Sequence, residues 1–241
     1  MANTRLLVGC SWAVHLYTAL GAVAGLAALS YTARAEWRGA FTMMAIAIAI
    51  DASDGPLARA LRVRERIPDF DGALLDNIVD YLTYVAVPAF LMLRAGLLPP
   101  GIAGQATASF VMIASAYGFS RTDAKTDDNY FRGFPSYWNL VALYLFCLGL
   151  APRTNAWIVA ALALMVFVPI KYIYPNRTEP MRPLTLSFAA IWGLATVAML
   201  PTLPAHHDIL LYTSLAFVVY YFAMSFALHA HPTRVAARRN L

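Results

Sequence analysis

Apolar stretches long enough to cross a bilayer recur from one end of this chain to the other, separated by short charged or Pro/Gly-rich loops. A bilayer core offers no water to backbone groups, so segments of this length are read as helices that satisfy their own hydrogen bonds. Eight spans are expected, at roughly 11–33, 39–58, 72–93, 101–119, 135–151, 155–174, 184–201 and 209–229. A chain of 241 residues is long enough for one or two soluble domains, but a 60% hydrophobic content leaves no stretch that would form one. The expected fold is therefore all-α: a polytopic transmembrane helical bundle, residues 1–241 forming a single integral-membrane domain.

Basic residues set the orientation. With the N-terminus in the cytoplasm, 14 of the 18 Lys and Arg fall on that side, and only Arg34, Arg38, Arg94 and Arg153 on the other. The positive-inside rule thus places both termini and the 51–80 segment in the cytoplasm. This topology and attraction to anionic lipid account for the net charge of +5, so no nucleic-acid partner is needed. Cys10 and Cys147 lie in or beside apolar spans and read as buried free thiols. The LVGC run ending at Cys10 has too little apolar sequence before it to be a lipoprotein signal.

Seven of the 13 acidic residues and four arginines are concentrated between residues 51 and 80. Asp51 and Asp54, three apart, share a helix face at the end of the second span; Gly72, Asp76 and Asp80, at four-residue intervals, share one at the start of the third. Two antiparallel helices joined by a short loop bring these faces together. Four carboxylates so placed repel one another unless cations compensate them. Two divalent ions about 3.5–4 Å apart, bridged by carboxylates, form a clamp for phosphoryl transfer, and an oxygen-only donor set favours Mg or Mn over Zn. A single Asp at a span end is more often a cap, but four on matched faces are not explained that way. Cation transport is the rival function; against it, the acids collect at one end of two helices, the other spans have no midplane acid, and no inverted repeat is visible.

The run Asp51-x-x-Asp54-Gly55-x-x-Ala58-Arg59, followed by Gly72-x-x-x-Asp76-x-x-x-Asp80, resembles the signature of the CDP-alcohol phosphotransferase family. The spacer Ala60 to Asp71 has twelve residues where that signature usually has eight. In this, and in the runs FRGFPSYWN and FVPIKYIYPNRT, the chain is similar to the bacterial branch of the family that makes phosphatidylcholine from CDP-diacylglycerol and choline, with release of CMP. The resemblance implies Asp51, Asp54 and Asp76 as metal ligands and Asp80 as both metal-proximal group and general base. It also implies that Gly55, Ala58 and Gly72 leave room for the cytidine nucleotide, although small residues in membrane helices also serve close packing. Arg59 then steadies the acids or touches the nucleotide, or is a topogenic arginine like Arg62, Arg64 and Arg66. A site facing the cytoplasm in the bacterial inner membrane, and a homodimer, follow from the same resemblance. Within the family, the alternative is a phosphatidylserine synthase or another CDP-diacylglycerol-dependent enzyme.

Choline makes a separate demand, since a quaternary ammonium donates no hydrogen bond and is usually held over aromatic faces. Tyr81 and Tyr84 follow the second acidic stripe, and Phe131, Phe134, Tyr137 and Trp138 precede or open the fifth span; each is a candidate wall and equally an interface anchor. Asn139 orients a substrate or caps a helix. Lys171 and Arg177, with Arg182 beyond, suit a lipid phosphate, and positive-inside placement also accounts for them. Asp123, Asp127 and Asp128 read as solvated loop acids. His206 and His207 lie on the side away from the acids, and His15, His229 and His231 have no partner visible in sequence.

Overall fold

A computed structural model describes residues 2–124, 126, 130–174, 181–205 and 208–230. The chain divides into two compact units, Met1–Met112 with Tyr137–Ala156, and Ile113–Ser136 with Trp157–Leu241.

The first unit opens with α1, Ala2–Ala33, whose outward face carries Leu6, Leu16, Leu20, Val23 and Leu26 while Ser11, His15, Thr18, Ala24, Ala28 and Thr32 are buried. This reverses the pattern of a soluble amphipathic helix. Lipid accepts the large aliphatic side chains, and small or polar ones let helices approach. A tight reversal with Ala35 in the left-handed region leads into α2, Trp37–Ala60, where Gly39 lies under the Tyr31 ring; a Cβ there would fall 2.5 Å from Tyr31 Cδ1. The buried face of α2 repeats every three or four residues through Ala40, Phe41, Met44, Ala47, Ile50 and Asp54.

A short helix α3, Val63–Arg66, entered through left-handed Arg62, bridges to α4, Gly72–Asp80, where the Asp71 carboxylate accepts the Leu74 N–H at 2.9 Å as an N-cap. The third span then widens into a π-helical stretch, Tyr81–Ala86, before resuming as α5, Val87–Arg94. Pro88 supplies the reason: it has no N–H for the Tyr84 carbonyl and its ring crowds that carbonyl, so the preceding turn opens. Helix α5 ends in a Schellman motif, Gly96 N–H to Leu93 O and Leu97 N–H to Met92 O, with Gly96 at φ 67°. The unit also holds the start of α6, Ile102–Ser120, then α7, Trp138–Leu148, stopped by left-handed Gly149, and the first turn of α8, Pro152–Met165.

In the second unit β1, Tyr130–Arg132, pairs antiparallel with β2, Lys171–Ile173, setting Phe131 opposite Tyr172. Tyr172 is fully buried against the rings of Phe134, Tyr221, Phe222 and Phe226. Helices α9, Arg182–Met199, and α10, Asp208–Ala230, complete the unit.

The all-α bundle of the sequence reading is present, with one small two-stranded ribbon. Among the described residues, six helices are long and apolar enough to cross a membrane. The segments expected as spans at 135–151 and 155–174 contain the shorter helices α7 and α8. Positive-φ residues at Ser136 and Gly149 bound the first, and the second leaves the helix after Met165, ahead of Pro169 and the strand.

Candidate active site

Helices α2 and α4 bring one carboxylate oxygen each from Asp51, Asp76 and Asp80 within 4.8 Å of one another, all three side chains being partly exposed. At an effective dielectric near 20, unit charges at that spacing repel by about 3 kcal/mol per pair. Such a group calls for positive charge. Its donors are hard, anionic oxygens with no sulfur or imidazole among them, which fits Mg or Mn and not a thiolate-seeking metal.

Asp54, a turn further along α2, stands outside this group of three. It is 5% exposed, and its Oδ2 accepts a 2.7 Å hydrogen bond from Thr18 Oγ1 of α1. Alongside it, the Tyr17 hydroxyl and Ser53 Oγ are 2.8 Å apart. Helix α1 thus braces the acidic end of α2 with two polar contacts across 36 residues of sequence. It braces α4 and the π-helical stretch by close packing instead: a Cβ at Gly21 would lie 2.6 Å from Val79 Cγ1 of α4, and one at Gly25 would lie 3.1–3.3 Å from Leu82 and Thr83 beyond it. The spacing Gly21-x-x-x-Gly25 is a small-residue motif that sequence reasoning passed over, and Val79 sits between the two acids it helps to place.

The widened turn aims the next side chains. Tyr84 is buried and donates its hydroxyl to Asp51 Oδ2 at 2.7 Å, and its ring centroid lies 6.1 Å from that of Tyr137 at the entrance to α7. Tyr84, one of the aromatic candidates of the sequence reading, thus touches the acidic group directly, with Tyr137 as its ring neighbour. Tyr81 donates to the Met112 carbonyl at 3.0 Å. Trp138 is fully buried and packs as core, whereas buried Asn139 accepts from Leu140 N–H through Oδ1 and leaves Nδ2 without a hydrogen-bond partner.

The signature's remaining positions have distinct surroundings. Arg59 is exposed, and its guanidinium folds back over Gly55, where a Cβ would meet Nη1 at 3.2 Å. Ala58 is half-buried. At Gly72 the space a Cβ would take is crossed by the His15 imidazole, whose Cε1 would lie 2.7 Å away. Arg66 donates to the Leu61 carbonyl within the spacer.

In the second unit, Lys171 holds its ammonium 5.3 Å above the Tyr130 ring. Arg177, the other predicted lipid-phosphate contact, lies outside the described residues, as do Asp127, Asp128, His206, His207 and His231. Asp123 is more than a solvated acid: Arg121 grips it at 2.7 and 2.9 Å and Arg132 reaches it at 2.7 Å. The Arg121 hydrogen bond, helped by the charges of both arginines, holds its carboxyl down at about 2.

A family model described as CDP-alcohol phosphatidyltransferase matches residues 13–169, a range that includes all four signature aspartates. The chain is 36% identical to a phosphatidylcholine synthase of Legionella pneumophila over 223 residues, 90% of this chain and 87% of that one. It is 41% identical to a protein of the same name from Legionella bozemanae, over 79% of this chain and 91% of the relative. With the one from Bradyrhizobium diazoefficiens the figures are 40%, 78% and 70%.

Proposed function

The chain belongs to the CDP-alcohol phosphatidyltransferase family, and on that premise we propose that it makes phosphatidylcholine, moving the phosphatidyl group of CDP-diacylglycerol to choline and releasing CMP. The observation that carries this reading is the convergence of Asp51, Asp76 and Asp80 beside the Tyr84–Tyr137 pair. Its relatives named phosphatidylcholine synthase supply the acceptor.

Asp51, Asp54, Asp76 and Asp80 would hold Mn or Mg, two ions in this reading, which when bound supply positive charge for the pyrophosphate and the departing CMP. Asp80 takes the proton of the choline hydroxyl as that oxygen bonds to the diacylglycerol-bearing phosphorus. The bond from this phosphorus to the pyrophosphate bridging oxygen breaks, and CMP leaves with that oxygen. No covalent enzyme intermediate is needed. Tyr84 keeps Asp51 oriented through its hydroxyl, and with Tyr137 it offers aromatic faces to the trimethylammonium group. Gly55, Ala58 and Gly72 give the nucleotide its approach, Arg59 balances its charge, Tyr81, Trp138 and Asn139 shape the acceptor side, and Lys171 and Arg177 meet lipid phosphate. The whole chain works as one domain in the bacterial inner membrane, its site facing the cytoplasm and its functional form a homodimer.

The test is turnover by the purified chain with Mn or Mg and CDP-diacylglycerol, comparing choline, serine, inositol and glycerol phosphate by CMP release and lipid product. Phosphatidylcholine from choline is expected. Product from another acceptor with none from choline overturns the assignment, and ion flux without lipid turnover returns the protein to the transporter class.

A further inference from the structure

Ser11, His15 and Thr18 form a buried polar stripe on α1, three and four residues apart. Two of the three are satisfied: Ser11 Oγ donates to the Leu7 carbonyl at 2.9 Å and Thr18 Oγ1 to Asp54. His15 is not. It is 8% exposed, and its Nε2 has no hydrogen-bond partner. A buried polar atom left so is costly unless a ligand completes it.

Its surroundings indicate which ligand. The imidazole rests against Gly72, the glycine that opens the second half of the signature, and aromatic rings flank it, Phe70 at 4.4 Å and Trp12 at 5.8 Å between centroids. Trp12 and Phe70 are 48% and 36% exposed, so flat apolar faces remain open beside the buried nitrogen. Along α1, His15 stands three residues, about 4.5 Å of rise, from the Thr18 that binds Asp54.

We propose that His15 reads the cytosine of the CDP-linked donor, its Nε2 accepting a hydrogen bond from the 4-amino group of a base that packs against Trp12 and Phe70, whose rings stand at 63° to each other; the assignment rests on the donor being a cytidine nucleotide, as in the reading above. Aromatic faces accept any base, so stacking alone does not discriminate. The hydrogen bond does when it is made at position 4: cytosine presents an amino donor there and uracil a carbonyl acceptor, and a neutral imidazole with its proton on Nδ1 offers Nε2 as an acceptor that suits only the amino group. A trimethylammonium group would leave Nε2 as unpartnered as before, which separates this cluster from the Tyr84–Tyr137 pair.

His15→Phe keeps the ring's bulk and removes the nitrogens, and His15→Gln restores a polar end at similar reach. The parent is expected to be inhibited by CMP at least tenfold more strongly than by UMP. In His15→Phe the KM for CDP-diacylglycerol rises about tenfold, kcat stays within threefold, the choline KM is unchanged and the CMP-over-UMP preference falls to near one; His15→Gln regains most of the affinity. Unchanged KM and CMP preference in His15→Phe overturn the proposal, as does a fall in kcat at constant KM or a rise in the choline KM alone. Should His15→Phe not fold, His15→Gln compared with His15→Leu decides by the same CMP-to-UMP ratio. Direct binding of labelled CMP and UMP needs no acceptor, so a wrong alcohol leaves this test standing, whereas a parent that binds neither nucleotide sinks the functional reading itself.

Discussion

Asp80 closes α4 immediately before the widened turn, with a carboxylate oxygen within 4.8 Å of those of Asp51 and Asp76, and it is the base in the proposed reaction. Asp80→Asn is expected to lower kcat by about 10²–10⁴-fold, the range of a lost general base, with KM values moved only a few-fold. Comparable steady-state rates for variant and parent would remove its role as base. Thr18→Val takes the hydroxyl from buried Asp54. In a cycle with Asp54→Asn, read by unfolding in detergent, the pair should show a coupling of about 0.6–1.7 kcal/mol, the span from the average to the upper end of such cycles inside membrane bundles. The acids were legible because spacings of three and four put them on faces whatever surrounds them. Thr18, Tyr17 and His15 were not, because nothing local marks one polar residue in an apolar span as the partner of a residue 36 or 57 positions away.

At the scale of elements, α1 packs closely against α4, the helix that carries Asp76 and Asp80. Gly21→Ala forces a methyl group onto Val79 and should cut activity at least tenfold by shifting the turn that carries Asp76 and Asp80. Val79→Ala opens that space again, so the double variant should recover most of the loss; recovery by neither stability nor rate would show that α4 is placed by something else. The widened turn was invisible to hydropathy, which scores α- and π-turns alike, and the same blindness lengthened two expected spans beyond α7 and α8. The loop after α6 makes its own prediction. Asp123 is held at about 2, below its ordinary 3.8, so the ion pair's contribution is fully present above about pH 5, declines as pH falls below the ordinary value and is gone once pH has fallen through 2. Asp123→Asn should therefore lower the melting temperature by the same amount at pH 5 as at pH 8, and a deficit that shrinks at pH 5 would contradict the arginine clasp.

For the molecule as a whole, the six long apolar helices among the described residues and the basic residues predict a topology that can be measured directly. A reporter fused after Leu241 should fluoresce as a cytoplasmic GFP and be inactive as a periplasmic alkaline phosphatase, and a cysteine replacing exposed Arg64 should react with an impermeant thiol reagent only after the cell is opened. The class of the bundle was legible because bilayer thickness sets helix length; the internal fit was not, because lipid-facing and buried apolar residues look alike in sequence. The buried stripe on α1 adds a constraint on biogenesis. When α1 enters the bilayer, Asp54 and Gly72, which will meet Thr18 and His15, have not yet emerged beside it. Until residue 72 emerges, the cell must harbour a helix whose polar side faces lipid or the insertion machinery, so membrane integration of α1 and assembly of the carboxylate cluster are successive stages of one co-translational event.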